Sequence, residues 1–118
     1  MNAFEVYQDT AVTTQSPQRI VIMLYDGAVK FLKLAIDAME DRNYEAKAQY
    51  ISRAMDIINE LNAVLDMEAG GEIAENLRKL YIFMLSHLNH ASIKMDTQMI
   101  NDVIGLLEEL NKGWQEIA

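Results

Sequence analysis

The chain holds a single proline, Pro17, which follows directly after Ser16. Serine is a preferred N-cap residue and proline is favoured at the first position of a helix, so this pair predicts a helix start. No proline occurs after that point, and the 118 residues contain only five glycines. A chain with so few helix-breaking residues can hold long helices, and this scarcity limits the possible folds more than any other feature.

Polar and glycine signals divide the chain into a flexible N-terminal segment, 1–15, and one domain, 16–118. The polar connection Asp41-Arg42-Asn43 and Asp96 can each cap a following helix, and the glycine pair at 70–71 permits the positive φ values of a connection. The predicted helices cover about 17–40, 44–65, 72–95 and 97–117. Connections of a few residues make consecutive helices antiparallel. We therefore expect an all-α fold, an up-down-up-down four-helix bundle with a short N-terminal capping segment.

Charge and cysteine content restrict the classes of function. The net charge is −8, and an acidic surface repels phosphate backbones, so we expect no nucleic-acid partner. The absence of cysteine removes disulfides and thiolate metal sites, and it is compatible with a reducing compartment. The N-terminus lacks the basic and apolar regions of a signal peptide, and no uncharged apolar run of about 18 residues occurs. We expect a cytoplasmic protein without membrane insertion.

The residues also lack the patterns of catalytic and metal sites. Neither His87 nor His90 has a glutamate three residues before it, which is the spacing that di-iron bundles use. No glycine-rich phosphate loop is present, and no serine stands in a nucleophile elbow. We therefore expect no catalytic residue, no metal, no cofactor and no enzymatic activity.

The first predicted helix carries two apolar stripes, which lie more than a quarter-turn apart at about 100° per residue. The first stripe is Ile20, Leu24, Gly27, Ala28, Phe31, Leu34, Ala35 and Ala38. The second stripe is Ile22, Tyr25, Val29, Leu32, Ile36 and Met39. Wide apolar faces can arise because each bundle helix touches two neighbours, or they can form a groove for an amphipathic partner helix. Two complete stripes exceed what we expect a four-helix bundle to bury, which favours the groove for this helix.

The second and third helices also carry apolar residues outside their core stripes. They are Tyr50, Ile57 and Val64 on the second helix, and Ile82, Phe83 and Ile93 on the third. We expect Trp114 to pack near one end of the bundle. The N-terminal segment carries Phe4, Val6 and Tyr7, and we hypothesise that it covers the groove until a partner arrives.

One motif links this pattern to a known family. The run Tyr25-Asp26-Gly27-Ala28 stands inside the stretch 16–28, which begins with Ser-Pro. Further matches are Tyr7, Arg53-Ala54, Ile57-Ile58, Glu60-Leu61, Leu65-Asp66, Gly70 to Ala74, Asn76-Leu77, Leu80-Tyr81 and Leu110 to Trp114. In this order the motifs resemble the flagellar secretion chaperone family over nearly the full chain.

The resemblance implies a cytoplasmic export chaperone that binds the disordered C-terminal helical segment of flagellin and prevents premature polymerisation before secretion. The alternative is a helical adaptor or regulatory protein of the flagellar export system with a different principal partner, one of the other export components. The candidate partner-binding residues are Tyr7, Ile22, Tyr25, Asp26, Val29, Ile36, Tyr50, Ile57 and Val64.

Overall fold

The computed structural model describes residues 17–117, which form four helices. The helices are α1 (Pro17–Glu40), α2 (Tyr44–Ala63), α3 (Met67–Lys94) and α4 (Thr97–Ile117). Each helix packs against two neighbours in the ring order α1, α2, α3, α4 and back to α1. The prediction of an all-α four-helix bundle is confirmed. The N-terminal segment 1–15 lies outside the described residues.

Side-chain caps start two of the helices where the sequence indicated them. The Asn43 side-chain oxygen accepts a hydrogen bond from the Ala46 amide at 3.1 Å, at the start of α2. The Asp96 carboxylate accepts from the Gln98 amide at 3.0 Å, at the start of α4. These bonds satisfy amides that have no partner within the helix, and this fixes where each helix begins.

The third helix differs from its expected range because it begins at Met67, before the predicted residue 72. Asp66 caps this earlier start, with its carboxylate accepting from the Ala69 amide at 2.9 Å. The first turn then breaks at Gly71, which has φ 52° and ψ −129°. A side chain would be strained in that conformation. The glycine pair therefore kinks α3 near its start instead of standing wholly before it.

The antiparallel order brings four helix termini to one end of the bundle. These are the start of α1, the end of α2, the start of α3 and the end of α4. The kink at Gly71 falls at the same end. Because regular helix packing is interrupted at this end of the bundle, the surface opens into a cleft there.

Both apolar stripes of α1 are used by the bundle itself. Ile22 is 7% exposed and Tyr25 is 0% exposed, although both belong to the second stripe. The expectation that the second stripe is surplus surface is therefore wrong for these residues. The physical reason is that α1 lies between α2 and α4, so one stripe faces each neighbour. Gly27 of the first stripe packs against Ile57 of α2, and Val29 of the second stripe lines a cleft with residues of α4.

Candidate partner-binding surfaces

Unburied apolar surface concentrates on the third helix. Seven large apolar side chains of the described residues are exposed: Tyr44, Val64, Ile73, Ile82, Phe83, Ile93 and Met95. Five of the seven belong to α3 or to its C-terminal cap residue, Met95. Exposed apolar side chains that share one helix face are candidates for contact with another molecule.

The outer face of α3 is defined here by Ile82, Phe83 and Ile93. Ile82 and Ile93 are separated by three helical turns, so they point in nearly the same direction about 16 Å apart along the axis. Ile93 is 75% exposed. Phe83 stacks on His87 with ring centroids 4.9 Å apart, and His87 contacts the Asp102 carboxylate of α4 at 3.2 Å. These contacts hold the aromatic ring in place while leaving half of it open.

A second apolar surface, the end cleft, opens where the four helix termini meet. It consists of two adjoining hollows of about 220 Å³ and 260 Å³ that share Ile73, Leu77 and Trp114. The full lining is Val21, Leu61, Val64, Leu65, Asp66, Gly70, Ile73, Ala74, Leu77, Tyr81, Leu110, Gly113 and Trp114. Apart from Asp66 and the Tyr81 and Trp114 polar atoms, the side chains in this set are apolar, which suits the apolar face of a partner.

The floor of the end cleft is held by two buried tyrosines. Tyr81 lines the cleft, and its hydroxyl is hydrogen bonded to the Tyr25 hydroxyl across the core. Burial raises the pKa of Tyr25 above its ordinary value of 10.0, although its hydrogen bond to Tyr81 acts in the opposite direction. Burial also raises the pKa of Tyr81. Both groups therefore stay neutral, and the cleft floor carries no charge at physiological pH.

A third surface, the α1–α4 cleft, is polar. The Asn111 side-chain amide donates a hydrogen bond to Asp26 at 2.8 Å, and Lys33 lies 3.9 Å from Glu108. The buried side-chain oxygen of Asn111 accepts no hydrogen bond from the described residues. This cleft joins the two helices by polar contacts, and it offers little apolar surface to a partner.

The predicted binding residues do not form one site. Ile22, Tyr25 and Ile57 lie in the core, so the surface assigned to them is absent from the folded bundle. Asp26 and Val29 line the α1–α4 cleft. Each of these five residues therefore lies in the core or in the cleft between α1 and α4.

The remaining predicted residues are divided among other places. Ile36 is half-buried against the core, and Tyr50 is half-buried with its ring stacked on Phe31 at a centroid distance of 6.3 Å. Val64 is 55% exposed and lines the end cleft, which makes it the one described member of the predicted set on that surface. Tyr7 lies outside the described residues.

The sequence pattern does not predict most of the end cleft. Ile73 is 73% exposed, yet its spacing from Leu77 predicts a core position. Trp114 likewise continues the core stripe of α4, and the stripe gives no sign that the ring borders open space. The kink at Gly71 interrupts the packing of the helices at this end of the bundle. The apolar core pattern nevertheless continues in the residues around the kink, so the pattern alone does not show that they are exposed. By contrast, the spacing in the sequence already places three residues of α3 outside its core stripe: Ile82, Phe83 and Ile93.

Among residues 17–117 no three or more His, Asp or Glu side chains are grouped closely enough to hold a metal ion. Within the same range no helix is both long enough and apolar enough to cross a bilayer. The described surfaces are a polar cleft, an apolar face and an apolar cleft at the end of a helical bundle. This arrangement is that of a helical-bundle protein whose apolar surfaces are candidates for contact with another polypeptide.

The comparisons with known proteins place the chain in a particular family. The model of the family described as flagellar protein FliS matches residues 1–118. The chain therefore belongs to the FliS family, and its function is that of an export chaperone in flagellar secretion. This confirms the resemblance carried by the motifs around Tyr25 and Asp26.

Several curated relatives named flagellar secretion chaperone FliS match over nearly the whole chain. The relative from Salmonella typhimurium is 40% identical over 97% of this chain and 85% of its own length. The relative from Vibrio cholerae is 39% identical over 96% of this chain and 83% of its own length. The relative from Bacillus subtilis is 33% identical over 98% of this chain and 85% of its own length.

A solved structure shares the fold. It is described as the crystal structure of a flagellar chaperone from bacteria, and it matches with a TM-score of 0.81. The match covers 98% of this chain and 94% of the other at 15% identity. The shared architecture therefore extends over the full four-helix bundle.

Proposed function

We propose that this protein is a cytoplasmic chaperone that binds the disordered C-terminal helical segment of flagellin and prevents its premature polymerisation before secretion. The single observation that carries the proposal is the end cleft, an apolar opening at the bundle end that includes the exposed Ile73 of α3. A chaperone for an amphipathic segment needs such surface, because it has to cover the apolar face through which copies of the segment associate.

The shape and chemistry of the two apolar surfaces support a helical partner. Ile73 and Trp114 border the end cleft, while Ile82 and Ile93 lie further along α3 on the side of the helix opposite to Ile73. A partner helix recognises a groove through apolar anchors on one of its faces, and each large apolar side chain buried contributes about 1.5–3 kcal/mol. A segment that wraps from the cleft onto α3 can use both surfaces.

The same physics allows release. A disordered segment loses conformational entropy when it folds on the chaperone, so its affinity is moderate for the area buried. We propose that binding and release proceed without an enzymatic step or a nucleotide. The phenolic groups on the cleft floor are neutral and paired with each other, which leaves apolar burial as the main driving force.

The proposal is tested by pull-down of purified flagellin and of the same flagellin without its C-terminal segment. We expect the intact protein to bind and the truncated protein to be lost in the wash. Equal capture of both would contradict the proposal and favour a different principal partner among the export components.

A pair of variants assigns the contact to the cleft. Ile73→Glu places a charge on an exposed cleft residue, and we expect it to weaken flagellin binding by about tenfold or more. Ser52→Glu adds the same charge to the exposed face of α2 and serves as the matched control. Binding should be unchanged in the control, and circular dichroism should show both variants folded.

A further inference from the structure

Gly113 stands inside α4 at the wall of the end cleft, between Leu110 and Trp114. Glycine is less favourable than alanine in a helix interior because it has more conformational freedom to lose. A Cβ atom built on Gly113 would meet nothing within 4 Å, so packing of the described chain does not require a glycine. Among the described glycines only Gly71 has a positive φ, so the backbone at Gly113 does not require one either.

Two carboxylates lie on the same face of α4 as Gly113. Glu109 and Glu116 stand four residues before it and three residues after it, which places all three positions on one helix face. Both side chains are exposed, and neither forms a salt bridge with a residue in the described range 17–117. They are about 10 Å apart along the axis. A third carboxylate, Asp66, belongs to the lining of the cleft itself.

We propose that a helical segment of the partner crosses α4 at Gly113 with its backbone in close contact, and that basic side chains flank the crossing point and pair with Glu109 and Glu116. The missing side chain at Gly113 lets two helix backbones approach, which is a known use of glycine at helix crossings. Lys112 stands three residues after Glu109 and four before Glu116 and offsets part of their charge, but the net charge of the three side chains stays negative and favours a basic segment over an acidic one. The inference rests on the proposed function and adds the chemistry of the docked segment.

Gly105 provides a matched control within the same helix. It is exposed, and a Cβ atom on it would also meet nothing within 4 Å, but it does not line the end cleft. Replacement of either glycine by alanine should raise the thermal midpoint, because alanine favours the helix. Only Gly113 variants should affect binding of the partner.

The experiment is a calorimetric titration of the full chain with a peptide of the flagellin C-terminal segment. We expect Gly113→Ala to weaken binding and Gly113→Leu to weaken it further, by about tenfold or more. Gly105→Ala and Gly105→Leu should bind as the unmodified chain does. Wild-type affinity in both Gly113 variants would overturn the close crossing while leaving the proposed function intact.

The charge part is tested with the same peptide. Glu109→Lys combined with Glu116→Lys should weaken binding, and salt should reduce the difference from the unmodified chain because it screens exposed charges. Glu45→Lys, which reverses an exposed charge in the first turn of α2, is the control. Unchanged binding in the double variant would overturn the pairing with basic side chains. If the peptide fails to bind the unmodified chain, the proposed function itself fails.

Discussion

The hydroxyl groups of Tyr25 and Tyr81 are hydrogen bonded across the core, and this bond connects α1 to the diagonally opposite helix α3. Both side chains are buried, and Tyr81 also forms part of the end cleft. The pair therefore fixes the floor of the proposed binding surface from inside the bundle. A buried hydroxyl needs such a partner, because desolvation without a hydrogen bond costs free energy.

The free-energy losses caused by removing each hydroxyl alone should add up to more than the loss caused by removing both. We expect Tyr25→Phe to lower the free energy of unfolding by about 1–3 kcal/mol, because the Tyr81 hydroxyl loses its partner in the core. Tyr81→Phe should cost less, because the Tyr25 hydroxyl keeps its interaction with the Trp114 side chain. The double variant should be more stable than the sum of the two single losses predicts, since it leaves no unpaired hydroxyl. Urea unfolding of the four proteins measures this coupling, and strict additivity would argue against the bond.

Alkaline pH should destabilise the fold through the same pair. Burial raises the pKa of both phenols in the folded state, so they remain protonated above the ordinary value of 10.0 while the unfolded chain ionises. The stabilising contribution is complete below pH 10 and decreases as the pH rises above it. Thermal unfolding from neutral pH to about pH 11 should show this decrease. The double phenylalanine variant should show a smaller decrease, and an identical profile would contradict the assignment.

Core and surface isoleucines should respond differently to the same substitution. Ile22→Glu buries a charge between α1 and α4 and should cost at least about 3 kcal/mol of unfolding free energy. Ile82→Glu places the charge on the outer face of α3 and should change stability by only about 0.5 kcal/mol. Chemical denaturation compares the two. An Ile22→Glu protein that is as stable as the unmodified chain would contradict the burial of Ile22 and would indicate that the second stripe of α1 is exposed.

The outer face of α3 should matter for binding instead of stability. We expect Ile82→Glu combined with Ile93→Glu to weaken binding of the flagellin C-terminal segment, because both residues are exposed on one helix face. Asn101→Glu on the exposed face of α4 is a control for the added charge. Surface plasmon resonance with immobilised segment measures both. Normal binding by the double variant would restrict the partner to the end cleft.

The sequence predicted those parts of the structure that depend on local chemistry. The caps at Asn43 and Asp96 act within a few residues, so the pattern alone locates them. The second stripe of α1 failed as a surface prediction because periodicity shows how wide an apolar arc is and not which neighbours cover it. Ile22 and Tyr25 are covered by helices far away in the chain. Judging their burial requires the ring order of the helices.

The end cleft could not be predicted from any one segment. Val64 follows the last residue of α2, Ile73 belongs to α3 and Trp114 belongs to α4, and each continues the apolar pattern of its own segment. They meet around open space because the kink at Gly71 and the ends of the helices interrupt packing there. The exposure of Ile82 and Ile93 was easier to predict from the sequence, since both residues depart from the core spacing of α3.

Trp114, the one tryptophan of the chain, borders the end cleft and can report directly on a partner bound there. Its fluorescence emission should be measured while a tryptophan-free peptide of the flagellin C-terminal segment is added. We expect a saturable change in emission that is lost in Ile73→Glu and kept in Ser52→Glu. Peptide binding detected by calorimetry without any change at Trp114 would contradict the assignment of the end cleft as the partner site.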